Sequence, residues 1–94
     1  MIIHIKATDL GLTPSLKTYV EKKLGALKKY VKKFEAENEV EMRLELARTT
    51  RHHRKGNVFK AEANIILPGK MLRAEDTDGN IRVAIDRLRD KLKM

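Results

Sequence analysis

The chain has 94 residues, 21 lysines and arginines against 13 aspartates and glutamates, a formal charge of +8 and no cysteine. That length supports one modest hydrophobic core and excludes two. The missing cysteines exclude a disulfide framework and a thiolate zinc site, and the cationic excess points to a polyanionic partner, either nucleic acid or an anionic membrane surface.

The first predicted element is a strand in MIIHIK, where Ile3 and Ile5 alternate with His4 and Lys6. This start lacks the basic head and long apolar run of a signal peptide, and no later stretch approaches membrane-spanning length, so the expected location is cytoplasmic. ATDLGL follows as a loop in which Gly11 is free to take a positive φ. Thr13 to Phe34, TPSLKTYVEKKLGALKKYVKKF, reads as one amphipathic helix. Thr13 suits the N-cap, and Pro14 suits the first helical position, where a missing N–H costs nothing. Leu16, Val20, Leu24, Leu27 and Val31 recur at helical spacing, with Tyr19, Tyr30 and Phe34 beside them. Gly25 is the weak point, about 1 kcal/mol poorer than Ala inside a helix, unless it marks a close approach. The remaining helix surface is cationic, since residues 17–33 carry seven lysines against Glu21 alone. Residues 35–47 then reverse the sign, with five glutamates against Arg43.

From Glu39 to Ala47, Val40, Met42, Leu44 and Leu46 alternate with Glu39, Glu41, Arg43 and Glu45, which predicts a strand with one buried face. RTTRHHRKGN is a polar loop. Val58 to Leu67 is a third strand, with Phe59, Ala61, Ala63, Ile65 and Leu67 inward and Lys60, Glu62 and Asn64 outward. Pro68-Gly69 is a turn signal, and Lys70 to Glu75 returns with Leu72 and Ala74 inward. Asp76 to Gly79 is a turn that also caps a last helix, whose stripe is Ile81, Ala84, Ile85, Leu88 and Leu92. The order is β-α-β-β-β-α. Strands with one polar face each leave a single side of the sheet to be covered. The predicted fold is an α/β (α+β) two-layer sandwich, a four-stranded mixed sheet with two helices on one face. Its first β-α-β unit is expected to join parallel neighbours by a right-handed crossover. Residues 1–94 are expected to form a single domain.

Catalytic signatures are missing. Ser15 is the only serine, and the five glycines form no nucleophile elbow, Walker loop or dinucleotide fingerprint. Glu75, Asp76 and Asp78 fit the dipole of a helix N-terminus better than a metal. His52-His53 lack the i, i+4 spacing of helical ligands and stand among Arg51, Arg54 and Lys55, which repel a cation. No enzyme activity, cofactor or small-molecule substrate is expected.

The basic clusters carry the functional signal. Lys17, Lys22, Lys23, Lys28 and Lys29 lie on the long helix, Arg51, Arg54 and Lys55 in one loop, and Arg82, Arg87 and Lys91 on the last helix. With both helices on one side of the sheet, their flanks are expected to form a basic groove extended at one end by the loop. Lys23 falls beside the apolar stripe, either snorkelling to water or aimed into that groove. Four aromatics, Tyr19, Tyr30, Phe34 and Phe59, all fit core positions and leave little for base stacking. The charge therefore suits phosphates and shape, as in structured RNA. Three alternatives stay open on the residues alone. They are a general double-stranded RNA-binding domain, a membrane-surface module without the Trp or apolar face that would support it, and a protein-interaction domain using the charged sheet face of Glu41, Arg43, Glu45, Lys60 and Glu62.

Three stretches, TPSLKTYVEKKLGALKKY, KGNVFKAEANIILPGKMLRAED and NIRVAIDRLRDKLKM, resemble the ribosome hibernation-promoting factor and ribosome-associated inhibitor family, also called the sigma-54 modulation protein family. The likeness covers essentially the whole chain, and AID followed by Asp90-Lys91-Leu92 is its most telling part. The resemblance implies a cytoplasmic stress factor, monomeric off the ribosome and without membrane contact. It would bind the small ribosomal subunit between head and body, over the mRNA and the A- and P-site tRNA positions, and stop translation through rRNA contacts. Carried over by position, it gives Lys17, Lys23 and Lys91 a place at that surface; the other basic residues rest on charge alone. Charge reversal at Lys23 and Lys91 together is expected to abolish ribosome binding with the fold intact. The family's last helix usually runs on into further basic residues, and long members add a second domain. The resemblance thus implies a short-type factor or the first domain of a longer one. Ile81 stands where family helices often carry an aromatic.

Overall fold

The computed structural model of the chain describes residues 1–36, 38–49 and 58–93. Strand β1 is Ile2–Thr8, helix α1 Pro14–Gly25 and helix α2 Lys28–Val31, followed by a 3-10 turn at Lys32–Phe34. Strands β2 (Glu41–Thr49), β3 (Val58–Leu67) and β4 (Lys70–Asp78) precede helix α3, Ile81–Leu92. The sheet order is β1-β2-β3-β4. β1 runs parallel to β2, and the two later pairings are antiparallel. This is the predicted mixed sheet.

The inner face explains the layering. Met42, Leu44 and Leu46 of β2 and Ala61, Ala63 and Ile65 of β3 are buried in one cluster with Leu16, Val20 and Leu24 of α1 and Ala84, Ile85, Leu88 and Leu92 of α3. Both helices therefore cover the same side. Burying a Leu or Ile here contributes on the order of 2 kcal/mol each, the main force holding the layers together. Tyr19, Tyr30 and Phe34 are only partly buried at the rim of this core. Phe59 shares the inner face but stays partly buried and outside the cluster.

On the open face the pairing aligns side chains into rows. Ile2, Glu41, Ile66 and Met71 form the first, then His4, Arg43, Asn64 and Arg73, then Lys6, Glu45, Glu62 and Glu75. With Lys60, these rows hold four Lys/Arg and four Glu, so the open side is electrically balanced in a chain of charge +8. Arg73 donates to Glu62 through Nε at 3.1 Å, and Glu45 accepts from Thr8 at 2.9 Å.

Several boundaries differ from the sequence expectation. The long helix is not continuous. After Gly25 the chain tightens into i→i−3 bonds, Leu27 N–H to the Leu24 carbonyl at 3.0 Å and Tyr30 N–H to the Leu27 carbonyl at 2.9 Å. A Cβ on Gly25 would meet nothing within 4 Å, so the glycine marks this break and no close approach. Leu27 and Val31 remain buried across it, so the apolar period alone could not show the break. β2 starts and ends two residues later than expected: before its start Glu39 meets the Met1 ammonium, 3.2 Å away, and at its end Arg48 and Thr49 still pair with Phe59 and Val58. The left-handed residue of the first loop is Asp9, φ 57, rather than Gly11. β4 continues to Asp78, and the cap of α3 is Asn80, whose side chain accepts from Arg82 N–H at 2.9 Å. Gly69, φ 75, supplies the backbone that the two-residue β3–β4 turn requires.

Candidate nucleic-acid interface

Thr13 caps α1 as its position predicts, its hydroxyl accepting from Leu16 N–H at 3.1 Å, with Pro14 next in the chain. Asn80 caps α3 in the same way. Two side-chain hydrogen bonds tie the helices together: an Arg82 guanidinium nitrogen donates to Ser15 Oγ at 3.2 Å, and the Tyr19 hydroxyl donates to Asp86 Oδ1 at 2.7 Å. Each step of four residues along α1 matches a step of four along α3. The two helices therefore run side by side in the same direction, and their positive dipole ends lie together.

Two of the predicted cations, Lys23 and Arg82, converge on this seam. Lys23 Nζ lies 5.5 Å from the centre of the Tyr19 ring, and the Arg82 guanidinium carbon lies 5.4 Å from it. Lys23 is also 4.0 Å from Asp86 Oδ1. The side chain is partly buried, with its ammonium beside the seam. The Tyr19 hydroxyl is held above the ordinary phenol range, first by its hydrogen bond to Asp86 and then by burial, with Arg82 and Arg89 opposing. Its hydrogen bond to Asp86 holds the ring between the two cations.

The other predicted residues lie elsewhere. Arg87 is 3.2 Å from Asp78, and Lys91 donates to the Glu75 carbonyl at 2.7 Å while standing 3.2 Å from Asp76. Both are on the β4 side of α3, away from the seam. A single groove shared by Lys23 and Lys91 is therefore not what the helices form. On α3, residues 82 and 86 share one flank, and residues 87 and 91 share the other. Asp76 and Asp78 fold inward to meet these cations, which is a fuller reason for their presence than a helix dipole. Lys17 precedes Tyr19 by two residues, about 200° around α1, and so faces away from α3. Lys22, Lys28 and Lys29 are exposed on the outer surface of the helix layer. Arg51, Arg54 and Lys55, with His52 and His53, lie outside the described residues. Their anchors, Thr49 and Val58, pair at the end of the sheet from which α1 and α3 start.

Cations cap the aromatic rings beyond the seam as well. Lys29 stands 5.2 Å from the Tyr30 ring, and Lys33 and Lys70 stand 5.1 and 5.9 Å from Phe34. Rings covered in this way present positive charge rather than a bare stacking surface. Sequence reasoning missed Asp86 and the Tyr19 hydroxyl, since partners 67 positions apart share no local pattern. Lys32 and Lys33, beside the same aromatic rim, carried only the general signal of the lysine run.

Comparison with known proteins agrees with this architecture. The family described as Sigma 54 modulation protein / S30EA ribosomal protein matches residues 3–94. The chain belongs to that family. Among solved structures, it is similar to the Thermus thermophilus Protein Y N-terminal domain, with 30% identity, a TM-score of 0.76, and coverage of 99% of this chain and 92% of that one. It also shares the fold of a ribosomal subunit interface protein from Coxiella burnetii, at 20% identity and a TM-score of 0.72, over 99% of this chain and 90% of that one. The family resemblance read from the three sequence stretches and the α+β fold both hold. As a Sigma 54 modulation protein / S30EA chain, it places its family-like AID segment at Ala84-Ile85-Asp86, with two residues in the core and the third in the seam. No helix among the described residues is long and apolar enough to cross a membrane.

Proposed function

We propose that this protein is a non-enzymatic, cytoplasmic inhibitor of translation that binds the small ribosomal subunit and acts by occupancy. Its helix layer lies against rRNA in the region of the mRNA and the A- and P-site tRNAs. Residues 1–94 act as one ribosome-binding unit, monomeric off the ribosome, without cofactor or small-molecule substrate. Membership of a family described as S30EA ribosomal protein supports the partner. The observation that carries the reading is the split of charge between layers. Residues 14–34 and 81–92 together hold eleven Lys/Arg against three Asp/Glu, while the open sheet face is balanced. A phosphate-rich surface is attracted to one side of such a molecule. Lys23 and Arg82 are the central contacts; Lys17, Lys22, Lys28, Lys29, Arg51, Arg54 and Lys55 extend the surface, and Arg87 and Lys91 meet RNA from the β4 flank.

The test is co-sedimentation with small subunits, with and without competing initiator tRNA. The seam pair Lys23→Glu and Arg82→Glu is a cleaner probe than Lys23 with Lys91, because reversing Lys91 also disturbs its contacts with β4. The double variant is expected to lose about tenfold or more in affinity at low salt, with unchanged circular dichroism. Wild-type retention of the double variant on subunits would remove the seam from the interface. A general structured-RNA binder is separated by competition: naked duplex RNA should displace the protein poorly if the ribosomal surface is the true partner.

A further inference from the structure

Among the described residues Asp86 is the one acid in the seam between Lys23 and Arg82, and the proposed contacts with RNA leave it unexplained. Its carboxylate accepts from the Tyr19 hydroxyl at 2.7 Å and stands 4.0 Å from the Lys23 ammonium. The pair is partly open, with side-chain exposures of 29% for Lys23 and 37% for Asp86, so solvent and ligands reach it. A phosphate oxyanion entering the seam is attracted by Lys23 and Arg82 and repelled by this carboxylate. Lys23 has one ammonium and two anionic suitors. Arg82 is not engaged in this way: its seam contacts are the neutral Ser15 hydroxyl and the Tyr19 ring.

We infer that Asp86 is a built-in competitor for RNA phosphate, a carboxylate that occupies Lys23 in the free protein and keeps the affinity of the seam below what its cations would give. This rests on the reading of the helix layer as the RNA-contacting side. On binding, Lys23 exchanges Asp86 for a phosphate oxygen, while Asp86 keeps Tyr19, whose ring stays under Arg82. On release the exchange reverses. An internal anion of this kind lowers the cost of leaving a polyanion as well as the gain of joining it. That suits an inhibitor whose action must be undone.

The test compares Asp86→Asn with wild type. Asparagine keeps an oxygen for the Tyr19 hydroxyl and removes the charge. Binding to small subunits is expected to tighten about threefold to tenfold at low salt, and the difference is expected to shrink as salt rises from about 50 to 200 mM. In a Lys23→Met background the same change is expected to give little further gain, because the lysine it acts on is gone. A purely structural aspartate would give equal or weaker binding and no dependence on Lys23, and either result overturns the inference. Asp86→Ser, also neutral, carries the same prediction should the asparagine variant fold poorly. Heparin retention is measured in parallel. Failure of every form on ribosomes would sink the ribosomal reading, whereas an unchanged heparin elution of Asp86→Asn would sink the inference by itself.

Discussion

Met1 ties two distant parts of the chain through its ammonium, which is 2.8 Å from Glu35 and 3.2 Å from Glu39. The contact joins the start of β1 to the segment that leads into β2. Its hydrogen bond to Glu35 is the chief reason the ammonium holds its proton above the ordinary value of an amine, against the opposing effect of burial. The same bond is the chief reason Glu35 is held below the ordinary carboxylate value. The signs give a window. The amine contributes fully below its unfolded value and loses its contribution as pH rises through the higher folded one. Glu35 contributes above its unfolded value and loses its part as pH falls through the depressed one. Thermal midpoints measured from about pH 7 to about pH 10 should therefore decline less steeply in Glu35→Gln than in wild type. Parallel declines in the two proteins would show the contact to be idle. Nothing in the sequence announces this pair, because its acid belongs to a run of alternating glutamates that continues into strand β2. Lys91 is a similar case: its place in the family-like motif was readable, but its engagement with Asp76 and the Glu75 carbonyl was not.

The elements themselves were largely readable, each for a stated reason. Alternation located β2 and β3, and β3 matches its expected span from Val58 to Leu67. The stripe of Ile81, Ala84, Ile85, Leu88 and Leu92 located α3. The break between α1 and α2 was not readable, because burial at Leu24, Leu27 and Val31 continues through it while hydrogen bonding changes. Gly25 was the only local sign. It has open space where a Cβ would go, and its backbone is helical. Gly25→Ala should accordingly stabilise the protein by about 0.4–1 kcal/mol in urea titrations, chiefly by restricting the unfolded chain. A loss of stability would mean that the break itself needs glycine. In the seam, the candidates Lys23 and Arg82 were legible from charge, but their grouping around Tyr19 was not. It depends on α1 and α3 running in the same direction, which follows only from the full strand order.

At the scale of the molecule, the helix layer carries the net charge and the sheet's open side is balanced. A dipolar particle of this kind is steered as it approaches a polyanion, so ionic strength should act mainly on association. Stopped-flow measurements with small subunits should show the association rate falling steeply between about 50 and 200 mM salt, with a smaller change in the dissociation rate. A salt effect confined to dissociation would instead locate the electrostatics in short-range contacts alone. The balanced rows of the sheet have their own consequence. A copy seated by its helices turns outward a surface whose Lys/Arg and Glu balance in number, with Arg73 held by Glu62 and Lys60 near Glu45. A face without net charge gives a second phosphate backbone little net attraction, so accumulation should stop at a single layer instead of knitting neighbouring particles into aggregates.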